Sequence, residues 1–79
     1  MPTILLLEGF RFFFYSNEND EPAHVHVKKA DGEGKIWLDP VLEIAWMHGF
    51  TGKEERKIWQ ITVEHAELFK TKWYEYFGK

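Results

Sequence analysis

Between residues 22 and 28 the chain reads Pro22-Ala23-His24-Val25-His26-Val27-Lys28. Two valines alternate with two histidines and a lysine. Side chains of a β-strand point to opposite faces in turn, so a period of two marks a strand with one apolar and one polar face. Val25 and Val27 are expected to enter a core. His24, His26 and Lys28 are expected to line the opposite, wetted face. Neighbours on one face of a strand lie about 6.5–7 Å apart, within reach of a shared metal ion, phosphate or proton.

The segments around this strand extend it into a sheet. Residues 3–7 read as a first strand closed by Glu8-Gly9, and the aromatic run Phe10 to Tyr15 suits a second. A polar loop over residues 16–22 follows. After the histidine strand, Asp31-Gly32 offers a two-residue hairpin turn, and residues 35–38 form the fourth strand. That turn sets Lys28 opposite Lys35, Val27 opposite Ile36, His26 opposite Trp37, and His24 opposite Asp39. Leu42, Ile44 and Trp46 alternate, which favours a fifth strand. Thr51-Gly52-Lys53-Glu54 has the form of a capping box. One long helix is expected from about Gly52 to Phe77, stopped by Gly78. Its apolar stripe would be Ile58, Ile61, His65, Leu68, Phe69, Trp73, Tyr76 and Phe77, with His65 bonded to the sheet or to Tyr76. Trp59 and Tyr74 fall off that stripe. The fold expected is α+β: a four- or five-stranded antiparallel sheet with one long C-terminal helix packed across one face.

A chain of 79 residues makes a single domain, 1–79. Domains this small bury only roughly 60% of their unfolded surface, so they need large core side chains or a partner. Aromatic residues are 18% of this chain, enough to suggest a homodimer contact or a partner surface besides the core. A net charge of −3 argues against a generic nucleic-acid coat. The sequence has no cysteine, which excludes disulfides and thiolate metal sites and suits a reducing cytoplasm. No stretch approaches the roughly 18 apolar residues of a membrane span.

The segments Gly9-Phe10-Arg11-Phe12, Glu21 to Val27, Trp37-Leu38-Asp39-Pro40, Gly49-Phe50, Glu64-His65 and Trp73 to Phe77 resemble a family of small prokaryotic proteins catalogued as domain of unknown function 4160. The Pro-x-His-x-His strand is the most specific part. That family is often encoded beside another small uncharacterised protein. The resemblance therefore implies a toxin–antitoxin-like or regulatory module with a small protein partner, and it implies no catalytic residues.

Three readings of the histidine face follow from the residues. His24 and His26 could hold zinc with Asp39 as third ligand, or with Asp20 or Glu21 of the adjacent loop behind it. The same pair could divide general base and general acid roles in RNA cleavage, with Lys28 or Arg11 stabilising the phosphate and Trp37 stacking a base. This makes a small ribonuclease or metal-dependent hydrolase the alternative to a contact protein. The third reading is a binding face in which Trp37, Lys35 and Asp39 meet a protein partner and the histidines are structural cross-strand neighbours.

Overall fold

The computed structural model describes residues 3–15 and 20–78. Five strands run in chain order: β1 Thr3–Leu7, β2 Phe10–Phe13, β3 His24–Lys29, β4 Gly32–Trp37 and β5 Glu43–His48. Each pairs antiparallel with the next, giving one meander in the order β1-β2-β3-β4-β5. Two helices follow, α1 Gly52–Glu64 and α2 Ala66–Phe77. The architecture is α+β, as the sequence implies, but the single long helix is replaced by two. The polar loop read at residues 16–19 lies outside the described residues.

The first hairpin turns through Glu8 and Gly9, with φ of 53° and 85°. Positive φ at both central residues is what a type I′ turn requires, and its twist matches the strands it joins. The β3–β4 hairpin departs from its expected register. Its central pair is Ala30-Asp31, so Lys29 faces Gly32, Lys28 faces Glu33, His26 faces Lys35, and His24 faces Trp37. Each partner has moved by two residues, which preserves the faces and changes every pair. Packing explains the choice. A Cβ on Gly32 would lie 2.4 Å from the Phe50 ring, and one on Gly34 would lie 2.4 Å from Met47 Sδ. Both glycines are needed inside β4 as a floor for these side chains, so Gly32 is not spent on the turn. The shift also replaces the Lys28–Lys35 opposition with Lys28–Glu33, a favourable cross-strand pair.

Both helices cover the valine face. Val25, Val27 and Ile36 are completely buried with Phe12, Ile58 and Phe69. Phe12 stacks on Phe69 at 5.1 Å, and Phe14 meets Trp73 edge-on at 5.2 Å. The capping box forms as expected: Glu54 N–H donates to Thr51 Oγ1 at 3.1 Å, and Thr51 N–H donates to Glu54 Oε1 at 2.9 Å. Gly78, at φ 71°, caps α2 in the left-handed conformation.

The helix breaks at His65, whose φ of −115° and ψ of 17° leave the helical region. Two side chains fold back onto the preceding turn there. Thr62 Oγ1 donates to the Ile58 carbonyl at 2.7 Å, and His65 Nδ1 lies 2.9 Å from the Ile61 carbonyl. Such back-bonding competes with the backbone ladder and bends helices. His65 therefore bonds within its own helix rather than to the sheet or to Tyr76. The break also re-aims the second half of the apolar stripe: Phe69 and Trp73 stay buried, whereas Leu68 and Tyr76 are exposed.

Candidate functional site

The sheet face turned away from the core cluster is organised as rows of cross-strand neighbours. One row is Arg11, Lys28, Glu33 and His48. The next is Phe13, His26, Lys35 and Trp46, and the last is His24, Trp37 and Glu43. This face collects most of the residues that the sequence singles out. Lys28 is exposed, as the alternation suggests, but the two histidines are not wetted.

His24 is 0% exposed and His26 4%. Their rings meet edge-to-face at 5.2 Å. His26 stacks on Phe13 at 5.6 Å and contacts Tyr15 edge-on at 4.6 Å. His24 meets Trp37 at 5.4 Å and Trp73 of α2 at 4.8 Å. His24 Nδ1 lies 2.9 Å from the Pro22 carbonyl. A carbonyl only accepts, so Nδ1 carries the proton of that bond. The expectation that His24 and His26 are wetted fails because aromatic side chains from neighbouring strands and from α2 close over the imidazoles. Imidazole is apolar enough over most of its surface to be sealed in this way.

Charged groups border the pair. Lys35 Nζ donates to Glu21 Oε1 at 2.6 Å and stands 4.2 Å from the Trp37 ring centroid. Glu21 Oε1 is 3.9 Å from His24 Nδ1. The hydrogen bond from Lys35 holds the Glu21 carboxyl below the usual carboxylate range. Burial opposes this, and the charges of Lys35, His24 and His26 reinforce it. Arg11 lies over Phe13 at 4.8 Å and donates through Nε to Thr3 Oγ1 at 3.0 Å. Lys28 is exposed on the same row as Arg11.

Asp39 leaves this group. The register shift carries it past His24, and its carboxylate accepts a hydrogen bond from Tyr74 Oη on α2. That bond, with the Asp39 charge, raises the Tyr74 hydroxyl above its ordinary range. The expected His24–Asp39 and His26–Trp37 pairs are therefore corrected to His24–Trp37 and His26–Lys35. Among the described residues, no three histidine or carboxylate side chains gather in an arrangement that could hold a metal ion.

What the sequence did not single out is the edge at β5. This strand has a sheet neighbour on one side only, β4. Ile44, at 40% exposed, and Trp46, at 37%, stand on its opposite faces. On the helix side Leu42, Ile44 and Trp59 line a shallow cleft. Two signals were present in the sequence: the Leu42-Ile44-Trp46 alternation, and Trp59 falling off the helix stripe. Neither could say that β5 would be the last strand.

Fold and site together define a small α+β domain: a five-stranded meander whose histidine pair is sealed under aromatics and whose edge strand β5 exposes Ile44 and Trp46. A family model described as Domain of unknown function (DUF4160) matches residues 9–74, and the chain belongs to that family. No significant match is found among curated proteins or solved structures. No helix among the described residues is long and apolar enough to cross a membrane.

Proposed function

We propose that the protein is the recognition half of a toxin–antitoxin-like or regulatory pair, and that it takes a strand of a small protein partner onto the β5 edge. The observation that carries this reading is Ile44 and Trp46 exposed on the two faces of an edge strand, beside Trp59. An incoming strand gains backbone hydrogen bonds along the edge and a side-chain contact on each face. Tryptophan is the residue type most enriched among binding hot spots. The extra residue Ala45 interrupts the regular β4–β5 ladder between Lys35 and Ile36. A bulge of this kind twists the edge locally, so an incoming strand has to match that twist. The absence of cysteine from the chain suits action in the cytoplasm.

The alternative, a ribonuclease or metal-dependent hydrolase, needs His24 and His26 to reach a substrate. Rings buried behind Phe13, Tyr15 and Trp37 are poorly placed for that, and no observation favours it.

The test is calorimetric titration with the product of the adjacent gene. Trp46→Ala and Ile44→Asp should each weaken binding by tenfold or more, a loss of at least about 1.4 kcal/mol. His65→Ala, far along the chain at the helix break, should leave it unchanged. Wild-type affinity in both folded β5 variants would refute the edge as the contact.

A further inference from the structure

A cleft of about 450 Å³ lies between the β1–β2 turn, the end of β3 and the start of α1. It is separate from the histidine pair and shares only Arg56 with a cleft beside Ile44 and Trp59. Its volume falls in the range of small-molecule sites, about 300–1,000 Å³. We propose that this cleft binds a small polyphosphate anion, such as the diphosphate of a nucleotide.

Positive charge is concentrated at this cleft. Lys29, Lys53, Arg56 and Lys57 line the cleft with two carboxylates, Glu8 and Glu54. Lys53, Arg56 and Lys57 follow i, i+3, i+4 spacing, which sets them on one face of α1. Such concentration of like charge is unfavourable without an anion, and it occurs in a chain whose net charge is −3.

Both carboxylates of the cleft are already engaged. Glu54 is held by its capping bond to Thr51 N–H. Glu8 pairs with Lys57 at 3.1 Å. Among the described residues, Lys29, Lys53 and Arg56 then have no carboxylate partner. Lys57 thus reaches across to the β1–β2 turn instead of pairing within its helix.

The cleft is also preorganised. Lys29 Nζ sits 4.6 Å from the centroid of the Phe10 ring. A Cβ on Gly9 would lie 3.2 Å from Lys29 Cε, so the glycine makes room for the lysine stem. Arg56 Nη1 lies 3.6 Å from the position a Cβ on Gly52 would take, which brings the guanidinium back over the first turn of α1. Lys29 from the sheet and Arg56 from the helix both line the cleft, and Arg56 also lines the neighbouring cleft at Gly52. A guanidinium fork and separate point charges suit several phosphate oxygens better than a single carboxylate. A long nucleic acid is less well suited, because it needs cations spread over a broad surface and here they are confined to one cleft.

The experiment is NMR and calorimetric titration of the full chain with pyrophosphate, ADP and a single-stranded oligoribonucleotide at fixed salt. Pyrophosphate and ADP should saturate, with amide shifts centred on residues 29 and 53–57. Lys29→Gln and Arg56→Gln should each weaken them tenfold or more, and Lys70→Gln on α2 should change affinity less than twofold. Lys53→Gln provides a second readout if loss of the Phe10 contact unfolds Lys29→Gln. Equal losses from Lys70→Gln would reduce the effect to general charge and overturn the site. Tighter, equally Arg56-dependent binding of the oligoribonucleotide would overturn the small-molecule assignment, and absence of saturable binding would overturn the proposal.

Discussion

Replacing His24 with alanine removes a ring that is 0% exposed and has Trp73, His26 and Trp37 around it at 4.8, 5.2 and 5.4 Å. Truncating a buried aromatic such as phenylalanine to alanine costs about 3–5 kcal/mol. The smaller imidazole places this change at about 2–4 kcal/mol on the same scale. Loss of the bond to the Pro22 carbonyl adds up to about 1 kcal/mol, since water can replace the donor at that exposed proline. A total near 3 kcal/mol is a large share of the roughly 4–12 kcal/mol expected of a chain this size. At about 4–8 °C per kcal/mol, the melting temperature should fall by about 12–24 °C. Circular dichroism melts of wild type, His24→Ala and the exposed-site control His48→Ala give the measurement. The control should move by no more than about 0.5 kcal/mol. A His24→Ala protein that melts within about 4 °C of wild type would refute the reasoning, because the ring would then not be a packed part of the fold.

Two further outcomes test the framework around the site. Gly32→Ala places a Cβ 2.4–2.9 Å from three atoms of the Phe50 ring and should destabilise by about 1–3 kcal/mol in urea unfolding; unchanged stability would remove the packing explanation for the hairpin register. Glu21 has a folded-state pKa below its unfolded value, so the Lys35–Glu21 pair stabilises above the ordinary carboxylate range and that contribution fades as pH falls through the depressed value. Because the Glu21 side chain is 42% exposed, wild type should exceed Glu21→Gln by no more than about 1 kcal/mol near neutral pH. The gap should close as pH falls below the ordinary carboxylate range, and a constant gap across the acid range would contradict this assignment.

Much of the fold was legible because local signals agreed with the global pattern. Val25 and Val27 alternate with partners that differ in polarity, and they occupy the core as that alternation implies. Thr51 and Glu54 announce the helix start, and Gly78 its end. The β3–β4 register was not legible, because Asp31-Gly32 is a good turn signal and only the Phe50 and Met47 contacts show where the glycines are needed. The helix break at His65 was hidden for a similar reason. Helical spacing continues through it, and the competing bonds of Thr62 and His65 emerge only in three dimensions.

The site was half legible. Period-two spacing places His24, His26, Lys28, Lys35 and Trp37 on one sheet face, and the structure keeps them there. Their exposure depends on what lies over that face, and Phe13, Tyr15 and Trp73 arrive from other elements. The two histidines are wet by their own pattern and dry by their surroundings, while Lys28 stays exposed. The edge position of β5 is likewise a property of sheet order rather than of the sequence Glu43 to His48.

The central claim is that the working surface is the β5 edge and that the histidine pair belongs to the framework. The most direct measurement is the amide and indole chemical-shift footprint of isotope-labelled protein as the product of the adjacent gene is added. Shifts concentrated on residues 43–48, the Trp46 indole and Trp59 are the result this account predicts. A footprint centred on Arg11 and Lys28, with the His24 and His26 ring signals following and β5 unmoved, would contradict it.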